Sequence, residues 1–179
     1  MRFIPMPVLA GVLVCVAQGQ SPLPEQVPIN TPYVTSPPQV VDAMLKLAAV
    51  GREDVLYDLG SGDGRIVISA ASKYGARGVG VENNPARVDE ARANARTAGV
   101  VHRVRFELKD LFDADISDAT VVAVYLLPDV NLRLRNRLMR ELKPGARVVS
   151  HSFGMGDWKP DKQMLVDGVP VYLWTIPPR

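Results

Sequence analysis

The strongest constraint on this chain lies in Asp58-Leu59-Gly60-Ser61-Gly62-Asp63-Gly64-Arg65. An apolar run over 54–59 enters it, and a helical pattern from Ile66 to Tyr74 leaves it. Three glycines at alternate positions let the backbone turn sharply and pass close to a ligand with no Cβ in the way. A glycine turn between a strand and a helix is where open α/β sheets bind nucleotides. The rest of the chain has to supply such a sheet.

It does. Pro37-Pro38 open a helix carrying Val41, Met44, Leu45 and Ala48 at helical spacing and ending near Gly51. Further strands are predicted over 78–81, 104–108, 120–127 and 147–153, and helices over 66–74, 85–98 and 132–142. A hairpin is predicted from 163–166 and 169–176 around Asp167-Gly168. Strands that alternate with helices and are themselves nearly all apolar belong to a parallel sheet covered on both faces. The expected fold is a Rossmann-like three-layer α/β/α sandwich. Its seven-strand sheet is mostly parallel and ends in a C-terminal antiparallel hairpin.

Ahead of that domain the chain reads differently. Arg2, the apolar run from Val8 to Ala17 and the small residue of Cys15-Val16-Ala17 resemble a secretory signal peptide. The run is too short for the ~20 residues of a membrane-spanning helix. An uncleaved N-terminal anchor is the alternative, and Val14 before Cys15 argues against lipidation. The expected organisation is a signal peptide or anchor over 1–20, a proline-rich linker over 21–30 and the folded domain over 31–179. A periplasmic, secreted or membrane-anchored protein follows if the leader works, and a cytoplasmic one if it does not.

Lys and Arg number 21 against 19 Asp and Glu, a formal net charge of +2. That balance excludes a protein that holds nucleic acid mainly by charge. One cysteine and two histidines rule out a disulfide framework and leave little for a metal site. No metal and no nucleic-acid partner are expected, and the protein is expected to be a monomer.

The acids around the glycine loop choose between ligands. Dinucleotide sites want G-x-G-x-x-G, with a pyrophosphate on bare amides at the helix start. Here the spacing is G-x-G-x-G, and Asp58 and Asp63 flank it. Carboxylates repel a pyrophosphate but suit the amino group and sulfonium of S-adenosylmethionine. Glu82, at the end of the second strand with Asn83 beside it, can accept both ribose hydroxyls. Asp110, just past the third strand, can accept the adenine amino group while Leu111 packs on the ring; otherwise Asp110 caps a turn before Phe112. The cofactor-binding set is thus Asp58, Gly60, Ser61, Gly62, Asp63, Gly64, Glu82, Asn83, Asp110 and Leu111. Tyr33 and Thr35 join it as an N-terminal lid or else form an ordered linker.

These motifs, with Gly80-Val81-Glu82 and Asp110-Leu111, resemble those of class I (seven-strand) S-adenosylmethionine-dependent methyltransferases, over about residues 31 to 176. Thr31-Pro32-Tyr33-Val34-Thr35, the Arg65 loop, Tyr125-Leu126-Leu127-Pro128 and Asn131 are similar to a narrower lysine methyltransferase group. That group's mitochondrial members modify the ATP-synthase c subunit and the adenine nucleotide translocase, and it has prokaryotic relatives. The resemblance implies methyl transfer from S-adenosylmethionine to a lysine amine of a protein.

Tyr125 ends the fourth predicted strand, where this fold places the methyl acceptor, and can orient an amine by its hydroxyl or ring face. The Asn/Asp-Pro-Pro-Tyr/Phe motif that grips planar amines is missing there, which lowers nucleobase and glutamine methylation. Asn131 either caps the next helix or touches substrate. His151 is a candidate proton acceptor or a structural hydrogen-bonder. Trp158 walls the acceptor pocket or packs beneath the hairpin. Arg133, Arg135, Arg137, Arg140 and Lys143 form a solvated helix face, or a docking surface for an acidic protein or membrane. A small-molecule methyltransferase, a nicotinamide oxidoreductase and a non-catalytic adenosylmethionine-binding envelope module remain as alternatives.

Overall fold

A computed structural model describes residues 34–179. The signal-peptide, linker and Tyr33 expectations lie outside these residues. Among the described residues, four helices and seven strands follow in the order α1 (Pro38–Leu47), β1 (Val55–Leu59), α2 (Arg65–Tyr74), β2 (Arg77–Glu82), α3 (Pro85–Thr97), β3 (Val104–Leu108), β4 (Val121–Val124), α4 (Pro128–Glu141), β5 (Arg147–His151), β6 (Lys162–Val166) and β7 (Val169–Thr175). Pro38, Pro85 and Pro128 each open a helix. At that position the missing N–H costs nothing and the fixed φ suits the first turn.

The strands make one sheet in the order β3-β2-β1-β4-β5-β7-β6. Strands β1 to β5 are parallel, and β7 and β6 turn back antiparallel at one edge. Strand order runs one way from β1 through β2 to β3 and the other way from β4 to β5. Right-handed crossovers therefore put α2 and α3 on one face and α4 on the other. Helices α1, α2 and α3 bury Met44, Leu45, Val67, Ala70 and Ala91 in one apolar cluster with Leu56, Ala123 and Val149 of the sheet. On the opposite face the Tyr57 hydroxyl donates to Asp118 Oδ1 at 2.6 Å. The three-layer expectation and the terminal hairpin both stand.

The first helix ends at Leu47, short of Gly51, and the fifth strand at His151, short of Phe153; the larger differences lie between the fourth strand and the helix after it. The fourth strand ends at Val124 rather than Leu127, and α4 begins at Pro128 rather than Leu132. The apolar pair Leu126-Leu127 prolongs a strand-like pattern. Yet Leu127 sits at φ −61°, ψ 153° as the residue before a proline that starts the helix.

The two glycines of β2 have packing roles. A Cβ on Gly78 would lie 2.5 Å from Val67 of α2, and one on Gly80 2.5 Å from the Phe106 ring of β3. Their absence lets α2 and Phe106 settle directly on the strand, which brings the glycine loop down onto the strand ends.

Candidate active site

The order reversal between β1 and β4 opens a crevice at the carboxyl ends of the strands, where this class of sheet binds ligands. The glycine loop leaves β1 into it. Gly60, Gly62 and Gly64 have φ of 87°, 53° and 79°, left-handed values that glycine adopts without Cβ strain. The amides of Gly60 and Ser61 both donate to Val81 O, at 2.9 and 3.0 Å. A Cβ on Gly60 would come within 3.0 Å of the Leu126 side chain. The loop is thus pinned to β2 and packed beneath the β4–α4 connection.

Asp58 is on β1, buried and 2% exposed. Burial first, then the negative charges of Glu82 and Asp63, push its carboxyl up to about 8. The Glu82 carboxylate is fixed by three backbone amides: Oε2 accepts from Gly62 at 3.0 Å, and Oε1 from Asn83 and Asn84 at 3.0 and 2.9 Å. Asn83 itself is exposed and contributes its amide to this clamp. Asn84 caps α3 through Ala86 N. Asp63 faces Arg65, whose Nε and Nη2 reach both its oxygens at 2.6–3.1 Å. Burial alone would raise Asp63, but its bonds and ion pair with Arg65, aided by the charge of Arg87, hold it below the ordinary carboxylate range. Asp63 is therefore already matched by a cation; the acids left to meet a ligand are Glu82 and Asp58, whose buried carboxyl holds its proton through the neutral range until a cation arrives to offset its burial.

The Ser61 hydroxyl is buried without a hydrogen-bond partner among the described residues. An orphaned hydroxyl, a tight loop of left-handed glycines and two acids beside it fit a small, cationic, polyhydroxylated group such as S-adenosylmethionine. Asp110 is part-buried one strand further on. One of its oxygens accepts Phe112 N at 2.8 Å, so the turn-capping alternative is present. Leu111, also part-buried, gives its carbonyl to Arg137 Nη1 at 2.7 Å.

On the other side of the crevice the ends of β4 and β5 meet. Tyr125 and His151 stack with ring centroids 3.8 Å apart and 25° between planes, and Phe153 stacks on Tyr125 at 6.4 Å. His151 is 3% exposed, and burial lowers its pKa, so the imidazole is neutral at pH 7. Its Nδ1 lies 2.8 Å from the Ser36 hydroxyl. Thr35 is half-buried beside Ser36.

Asn131 does not cap α4, because the helix starts three residues before it. It is fully buried, and its Nδ2 donates to the carbonyls of Phe153 and Gly154, each at 3.3 Å. The Ser150 hydroxyl donates to Phe153 O at 2.6 Å. Between them, Phe153 N closes a tight turn on His151 O at 2.8 Å, with Ser152 at φ 65°. A non-glycine residue holds such a φ only where its surroundings over-determine it. Asn131 and Ser150 thus keep the Phe153 loop in place against Tyr125.

Trp158 packs on Trp174 at 5.6 Å and its carbonyl accepts the Trp174 Nε1–H at 2.8 Å, so it lies beneath the hairpin. The α4 arginines are largely occupied within the protein. Arg137 holds the carbonyls of Leu111 and Ala114, Arg135 holds Met155 O and Asp157, Arg140 pairs with Glu141, and Arg133 lies over the Phe112 ring. The bonds of Arg135 and Arg137 and the stacking of Arg133 secure the loops that flank α4. Sequence reasoning misses Ser36, Phe153 and Asn84. Ser36-Pro37-Pro38 is legible as a helix start, but its partner lies 115 residues away, and no local pattern reveals that.

A family model described as the ANTKMT methyltransferase domain matches residues 58–162. A protein-lysine N-methyltransferase of Saccharolobus islandicus is 45% identical over 152 residues, covering 82% of this chain and 94% of that protein. A lysine N-methyltransferase of the ATP-synthase c subunit, from Xenopus laevis, is 35% identical over 170 residues, covering 94% of this chain and 74% of that one. Among solved structures, one described as an RNA methyltransferase from Salinibacter ruber in complex with S-adenosyl-L-homocysteine superposes with a TM-score of 0.81. It is 58% identical and covers 82% of this chain and 95% of that one.

Proposed function

The chain belongs to the ANTKMT methyltransferase family, and from that membership we propose the residues that carry its reaction, transfer of a methyl group to a lysine amine of a protein. It is an S-adenosylmethionine-dependent enzyme. The cofactor supplies an electrophilic methyl group with its own neutral leaving group. The protein's task is therefore to bind, orient and exclude water.

Asp58 and Glu82 are the residues we assign to the cofactor's cationic and ribose groups, with Gly60, Ser61, Gly62 and Gly64 as its backbone cradle. Asp110 and Leu111 are assigned to the far end of the crevice, and Arg65 sets Asp63. Tyr125 takes the acceptor side. A lysine amine has an ordinary pKa of about 10.4 and attacks only when neutral. An apolar, aromatic entry disfavours the ammonium form. The observation that supports this best is the buried His151 ring stacked on Tyr125 at the ends of β4 and β5, where burial favours the neutral imidazole. Neither ring brings a positive charge to oppose the amine.

Tritiated-methyl labelling tests the reading. The protein is mixed with a host extract, and the label is followed after protease, nuclease and lipid extraction. Protease-sensitive label that hydrolyses to methyl-lysines is expected. Label that disappears with ribonuclease would overturn the lysine assignment, in line with the description of the Salinibacter structure. Tyr125→Phe should slow labelling while leaving S-adenosylhomocysteine affinity intact; equal loss of both would remove Tyr125 from the acceptor side.

The leader, outside the described residues, supports a second proposal: the chain is exported or anchored through residues 1–20. Mass spectrometry of the mature protein that found Met1 on a cytoplasmic chain would refute it.

A further inference from the structure

The segment leading into α1 is tied to both sides of the crevice. Ser36 is 3% exposed although it sits in an extended stretch outside any helix or strand. Its carbonyl accepts Arg65 Nη1 at 3.0 Å, and the same guanidinium grips Asp63 in the glycine loop. Its hydroxyl lies 2.8 Å from His151 Nδ1. The His151 ring in turn stacks on Tyr125 at 3.8 Å. One small residue therefore joins the cofactor loop to the aromatic pair.

We infer that Ser36 is a positioning residue for methyl transfer: held at its carbonyl by Arg65, it fixes through its hydroxyl the tautomer and orientation of His151, and so the placement of Tyr125. The inference rests on the methyltransferase reading above and on the acceptor-side role of Tyr125. A neutral imidazole carries its proton on one nitrogen, and the partner of the other nitrogen selects which. In a buried ring, removing that partner leaves a polar nitrogen unsatisfied. The ring then turns over or exchanges tautomers, and the stacked tyrosine moves with it. Small displacements at a reacting centre are costly to transfer rates even when binding is untouched. The length of the chain between Ser36 and His151 makes this a property of the fold and not of a local motif.

The test uses the full chain. Its two histidines, His102 and His151, let a long-range 1H–15N spectrum report the His151 ring directly. In the ligand-free protein, Ser36→Ala should turn a single-tautomer pattern at His151 into a mixture. Its S-adenosylhomocysteine affinity by calorimetry should be unchanged. Its rate of methyl incorporation into a protein extract, at saturating cofactor, should fall by about tenfold or more. Ser36→Thr keeps the hydroxyl and should restore both ring signals and rate, which separates positioning from a loss of folding. Unchanged His151 signals in Ser36→Ala, an unchanged rate, or a well-folded Ser36→Thr without rescue each overturn the role of Ser36. A wild-type protein that binds S-adenosylhomocysteine yet labels no protein overturns the substrate reading as well. Equal labelling by wild type and Ser36→Ala overturns the positioning role alone.

Discussion

Asp58→Asn should raise the melting temperature of the ligand-free protein and sharply weaken its affinity for S-adenosylhomocysteine. The folded-state pKa of Asp58 is raised from 3.8 to about 8 by burial and by Glu82 and Asp63. The folded protein therefore binds this proton more tightly than the unfolded chain. Stability is fully present below the unfolded pKa, is lost as pH rises through the window from about 4 to about 8, and then levels off. Asparagine is nearly isosteric and uncharged, so the variant escapes that loss. Its advantage should be absent near pH 4, grow towards pH 8 and reach an order of several kcal/mol. Melts at three pH values check this: parallel curves for the two proteins would refute the charge argument. Affinity moves the other way, because a buried carboxylate that meets a cation contributes strongly once that cation is bound. A loss of about a hundredfold or more is expected by calorimetry. A variant that is more stable and still binds would take Asp58 out of the site. The same charge that makes the empty fold less stable is the one that recognises the cofactor.

Gly64→Ala should destabilise the protein by more than its left-handed backbone alone would cost. Gly64 has φ 79° and stands at the start of α2. A Cβ there would lie 2.6 Å from two atoms of the Phe106 ring and 3.0 Å from Ala91 Cβ. The left-handed backbone costs about 1 kcal/mol for a residue with a Cβ, and overpacking a filled site adds roughly 1–3 kcal/mol. Gly99 is the control. It has φ 70° with nothing within 4 Å of its would-be Cβ, so Gly99→Ala should show the backbone cost alone. Denaturant titrations should therefore place Gly64→Ala below Gly99→Ala in stability. Equal losses would mean that Phe106 gives way and that the loop is not packed as described. Pairing Gly64→Ala with Phe106→Leu should recover part of the difference, since the two share one space.

Much of this is visible in the chain. The order of strands and helices is written in its apolar periods, and Pro38 and Pro85 announce two of the helix starts. The glycine loop, Asp58 and Glu82 can be read as a cofactor site because they sit at fixed steps from strands that the sequence itself announces. Other readings need the fold. Asn131 resembles a helix cap because an apolar Leu126-Leu127 hides a helix that starts at Pro128; buried, it secures the Phe153 loop. Asp63 resembles a cofactor acid, and its carboxylate is held by Arg65. The basic helix resembles a surface, and most of its arginines hold loops.

The sheet, the loop and the chemistry of the ligand they suit can all be read along the chain. Those follow from hydrophobic period and from residue types a few positions apart, which are local properties. Which side chains share a charge, which hydroxyl is left without a partner, and that Ser36 reaches His151 emerge once the chain is folded. Those are contacts between residues far apart along the chain. They exist because crossovers of one hand bring the ends of β1, β4 and β5 to the same crevice.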